Sequence, residues 1–114
     1  MKKTDKKIEN TIREALTEVC DIALKSIVGF KWLTHLVANY KALPESMSFL
    51  CVFETDAELS KALSEHKDEL MRRLIKEKLS VVNINVKNIK QQVRFDSEEA
   101  CEKYHGGKWH ERFK

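Results

Sequence analysis

The sequence holds three glycines, one proline, three cysteines and no long apolar run, and each scarcity removes a class of protein. Neither G-x-G-x-x-G nor a Walker loop can be built from Gly29, Gly106 and Gly107, so a nucleotide cradled by a glycine-rich phosphate loop is disfavoured. With Pro44 alone, no repeat and no low-complexity segment, the chain has no linker composition. No apolar stretch approaches the roughly 18 residues of a membrane span, which predicts no membrane partner. The basic start, Met1 to Lys7, leads into an amphipathic pattern instead of the apolar centre of a secretory signal. Cys20, Cys51 and Cys101 are odd in number, far apart and without a C-x-x-C pair, as expected of reduced thiols in a cytoplasmic protein.

What remains is an ordinary globular composition. At 114 residues, 42% hydrophobic and 34% charged, the chain suits one domain able to bury roughly 65% of its unfolded surface. The expected organisation is a single domain over residues 1–114, with a basic N-terminal tail at 1–7 and an aromatic, basic C-terminal tail at 108–114. The clearest element is Met47 to Phe53, M-S-F-L-C-V-F, where apolar side chains occupy both parities. A strand with both faces covered is a central strand, and helices must then lie over the sheet.

The neighbouring elements follow from spacing. Ile8, Ile12, Ala15, Leu16, Val19, Ile22, Ala23 and Ile27 recur at the three-and-four interval of an amphipathic helix, and Gly29 stops it. Phe30 to Val37 reads as a first strand, joined to the central one by a hairpin whose loop holds Pro44. Thr55 and Glu58 match a capping box, predicting one long helix with Leu59, Ala62, Leu63, His66, Leu70 and Leu74 on its apolar face, ending at Asn83 or Asn85. Ile89 to Phe95 alternates as a strand with Lys90, Gln92 and Arg94 on its wet face. Asp96 to Glu99 caps a short last helix that Gly106 and Gly107 end. The predicted class is α+β, in α-β-β-α-β-α order, with a three-stranded sheet and helices packed on one face.

Catalytic patterns are sparse, so a non-enzymatic binding module without a cofactor is expected. Cys101, His105 and His110 offer three soft ligands, one short of the four of a structural zinc site. A Cys101–His105 nucleophilic pair lacks a visible orienting group, and Glu54 and Asp56 are explained as helix-start acids. The charge pattern is the better lead. Although the net charge is only +3, residues 54–75 sum to −2 and residues 76–94 to +4. Arg72, Arg73, Lys76, Lys87, Lys90 and Arg94 are the candidate contacts to a nucleic-acid backbone, on the condition that they converge. The alternative partner is a protein, captured by the edge strand at Phe30 to Val37 or by Trp109 and Phe113 of the tail. Those two aromatics are four apart, so a final helical turn would instead lay both on the domain's own surface.

Two resemblances bear on function. The runs I-x-x-x-I-R-E-A-L-T-E-V-C-D-I-A (Ile8 to Ala23), G-F-K-W-L-T-H (Gly29 to His35), C-V-F-E-T-D (Cys51 to Asp56) and G-K-W-H-E-R-F (Gly107 to Phe113) resemble a family of small bacterial proteins often labelled Fis-family transcriptional regulators. The label implies DNA binding, but the Fis fold is helical with a C-terminal helix-turn-helix. Here Phe30 to Phe53 reads as sheet, so no Fis residue role transfers. The α-β-β-α-β order over about residues 8–95, with a strand running into Asp56-x-Glu58-Leu59, resembles the KH-like domain of bacterial replicative-helicase loaders. This implies nucleic-acid-linked work; the G-X-X-G clamp of RNA-binding KH domains is missing and is not carried over.

Overall fold

Met47–Phe53 forms the middle strand of a three-stranded sheet, where six of its seven residues are buried. The structure, a computed structural model, describes residues 2–113, so Met1 and Lys114 lie outside the described residues. The chain runs α1 (Lys3–Ser26), β1 (Phe30–Val37), β2 (Met47–Phe53), α2 (Asp56–Ser64), α3 (Lys67–Val81), α4 (Ile89–Gln92), β3 (Val93–Ser97), α5 (Glu98–His105) and α6 (Trp109–Arg112). The class is α+β. β1 and β2 form an antiparallel hairpin with Leu33 opposite Cys51, while β3 runs parallel to β2 with Phe95 opposite Cys51. A parallel neighbour needs a crossover, and α2, α3 and α4 provide it.

Met47, Phe49, Cys51 and Phe53 share one face of β2 and enter the main core. Helices α1, α2 and α3 supply the opposing layer through Ile12, Leu16, Val19, Ala62, Met71 and Ile75. Leu50 and Val52, on the other parity, are also buried but outside that core. Their face is covered by the C-terminal turn, since Trp109 meets Trp32, the ladder partner of Val52, edge to face with ring centres 5.0 Å apart. The two-sided apolar pattern of β2 thus answers to two different covers.

Local chemistry sets several boundaries. Thr55 caps α2 by accepting from the Glu58 N–H, and Ser97 caps α5 by accepting from the Ala100 N–H. Gly29 turns α1 into β1 at φ +85°, and a Cβ there would lie 2.6 Å from Glu58 Cβ, so only glycine fits under α2.

Three expectations are corrected. Residues 3–7 are the first turns of α1, not a tail. The long helix is two helices, broken where His66 takes the left-handed conformation at φ 59°; His66 is exposed, not on an apolar stripe. Ala62 and Met71 are both buried, yet nine residues of continuous helix would set them about 180° apart. The break rephases α3 so that Met71, Ile75 and Leu79 face the core. Finally, Ile89–Gln92 is a helical turn and the strand starts at Val93. The Gln92 amide donates to the carbonyls of Pro44 and Met47, tying that turn to the hairpin.

Candidate functional site

The spacing of α3 brings its basic residues to one side, because positions three and four apart neighbour each other on a helix. Arg72, Arg73 and Lys76 form one wall of an open groove of about 510 Å³, with Ile89 and Lys90 of α4 as the other. Asp68 and Glu69 also line it, so four cations face two carboxylates. Arg72 is committed: its guanidinium donates to Asp68 at 2.7 Å and sits 5.1 Å from the centre of the Phe95 ring. Its Nε is buried without a hydrogen-bond partner among the described residues. Arg73, Lys76 and Lys90 are exposed and make no ion pair among the described residues.

The other two candidates lie elsewhere. Lys87 borders a separate hollow with Leu43, Pro44 and Ile84. Arg94 stands opposite Leu50, on the second face of the sheet, with its guanidinium 4.8 Å from the Phe113 ring centre. Four of the six basic residues therefore share one groove, and two do not. Of the wet strand face expected for Lys90, Gln92 and Arg94, only Arg94 is an exposed strand residue, because Lys90 and Gln92 belong to α4.

Trp109 and Phe113 are both half-buried against the second sheet face. The Trp109 indole N–H donates to Glu98 at 3.3 Å, and the Trp32 indole N–H donates to the other oxygen of the same carboxylate at 2.5 Å. Arg112 holds Asp96 with a two-pronged contact at 2.5 and 2.8 Å. The hydrogen bond to Asp96 is the main reason the Arg112 guanidinium is held above its ordinary pKa. Cys101 is buried and His105 Nδ1 lies 3.4 Å from an Arg112 guanidinium nitrogen; no cluster of metal ligands occurs among the described residues. Burial pushes the thiols of Cys51 and Cys101 up, the opposite of what a nucleophile needs.

A polar cluster between α1 and β1 had no local signal in the sequence. Glu9 Oε1 lies 2.7 Å from His35 Nε2, and Glu9 Oε2 accepts from the Tyr40 hydroxyl at 2.6 Å, with Arg13 at 3.5 Å. The partners are 26 and 31 residues away. The parity of His35 with Leu33 and Val37, which turns it to the helix-covered face, is the one clue that it needs a polar partner from α1. Burial raises the Glu9 pKa, but the Tyr40 hydrogen bond and the adjacent His35 and Arg13 outweigh it and leave the carboxyl below its usual range. The same hydrogen bond is the chief cause that pushes Tyr40 up to about 12.

A depressed carboxyl pKa stabilises the fold fully above the unfolded-state value and ceases to do so as pH falls through the folded one. Denaturation midpoints measured from neutral to acid pH are therefore expected to show a gap between the native chain and Glu9→Gln that closes on acidification. A gap that is constant with pH would show that the charge of Glu9 contributes nothing.

Compared with known proteins, the chain matches no family model, no curated protein and no solved structure. No helix among the described residues is long and apolar enough to cross a membrane.

Proposed function

We propose that the chain is a non-enzymatic binding module that holds the phosphate backbone of DNA or RNA in the groove between α3 and α4. The observation that carries this reading is the convergence of Arg72, Arg73, Lys76 and Lys90 on one groove from two helices. Arg73, Lys76 and Lys90 are the phosphate contacts, since their ammonium and guanidinium groups are exposed and uncommitted. Arg72, held by Asp68 and Phe95, shapes the wall between them. The α-β-β-α-β pattern that the sequence suggests over about residues 8–95, resembling the KH-like domain of replicative-helicase loaders, supports the same partner class.

Three phosphate contacts imply a logarithmic salt slope of about −2 for a single strand and about −2.7 for a duplex. Binding of labelled DNA and RNA oligonucleotides, titrated across salt concentrations, is expected to follow that slope. Arg73→Glu combined with Lys76→Glu is expected to lower affinity at least tenfold for all sequences alike, on the order of 1.4 kcal/mol. Lys87→Glu, outside the groove, is the control and should change little. Salt-independent binding, or equal losses from Lys87→Glu and the groove variants, would overturn the reading.

A further inference from the structure

We infer that the cleft between α1 and the free edge of β1 receives an extended peptide, which pairs with β1 and sets a lysine or arginine against Asp21. β1 is an edge strand, with β2 on one side and no described strand on the other. Its two edge-protecting devices, Lys31 and a bulge between Phe30 and Trp32, both sit at the start of the strand, so Leu33 to Val37 carries neither proline, bulge nor lysine to stop a further partner.

Alongside this edge, α1 leaves an open groove of about 360 Å³ walled by Leu16, Thr17 and Cys20 of the helix and Leu33, Thr34 and His35 of the strand. A long helix lying beside a free strand edge, with a groove between them, is the geometry in which an added strand gains main-chain hydrogen bonds and side-chain pockets together. The Ala38 N–H donates to the Ser46 carbonyl across the hairpin at 3.1 Å, so Leu36 and Thr34, two and four residues before it, turn their main-chain groups to β2 while Leu33 turns its own away. In an antiparallel ladder residues alternate, so His35 and Val37 turn their main-chain groups outward as Leu33 does.

Charge selects the occupant. Glu9, at one end of the groove, is engaged by Tyr40, His35 and Arg13. Asp21 also lines the groove, is exposed and pairs with no cation among the described residues. The free charge on these walls is thus negative, and a cationic side chain complements it. None of the groove's residues belongs to the α3–α4 groove, so either site stands if the other fails.

The test uses the full chain and arrayed random octapeptides in three subsets, with one central residue fixed as Lys or Arg, as Asp or Glu, or as Ala. Retention on the basic subset is expected to exceed that on the acidic subset about fivefold, the scale of one exposed charge pair. Amide shifts on binding a retained basic peptide should concentrate at 33–37 and 16–21. Asp21→Lys, at an exposed helix position, should reverse the preference while Arg73→Glu with Lys76→Glu leaves it intact. Equal retention of all subsets, shifts confined to 72–76 and 89–90, or an unchanged preference in Asp21→Lys would each overturn the inference.

Discussion

Phe49→Ala is expected to destabilise the domain by about 3–5 kcal/mol, measured as the shift in free energy of urea unfolding. Phe49 is fully buried at the centre of β2, opposite His35 on one side and Val93 on the other. Its ring is surrounded by sheet and helices, which cannot close the space that truncation would leave without giving up contacts of their own. Domains of this size have about 5–15 kcal/mol in total, so the variant should sit near the edge of folding at physiological temperature. A loss under about 1 kcal/mol would mean that the face of β2 turned to α1 and α3 is not the core, since that is the range of surface substitutions.

Removal of residues 108–114 is expected to cost about 2–4 kcal/mol, read from the same unfolding curves. The deletion takes away the Trp109 ring from Trp32 and both arms of Arg112 from Asp96. It also leaves the Asp96 carboxylate, about four-fifths buried, without its cation, and uncovers part of the face that holds Leu50 and Val52. A tail that served only to capture a partner would behave differently, because its loss would leave the unfolding curve where it was. The two outcomes separate a structural role of Trp109 and Phe113 from a purely recruiting one.

Much of the fold was legible because it rests on local rules. The parity of Met47–Phe53 fixed a central strand, and Thr55 and Ser97 announced their helices through hydroxyl groups that reach N–H donors three residues on. The errors fell where distant contacts decide. Alternation from Ile89 to Phe95 suits a strand, yet the Gln92 amide finds two carbonyls of the hairpin more than forty residues earlier, and a helical turn is what delivers it there. In the same way, the leucines of the supposed long helix keep a helical interval across His66, but the phase of the core changes at that residue. The basic groove was half legible. Arg72, Arg73 and Lys76 meet by helix spacing alone, Lys90 joins them only through the turn that the sequence did not announce, and strand parity sends Arg94 to the opposite face.

Glu98 accepts from both indoles, and these are the chain's two tryptophans. All the tryptophan emission of the protein therefore originates beside one carboxylate, at the seam between β1 and the C-terminal turn. An emission-detected melt reports first on the opening of that seam, whereas far-ultraviolet dichroism reports on the helices over the other face. Coincident curves would show that the two sides of the sheet come apart as one cooperative unit, and separated curves would give the seam a melting temperature of its own.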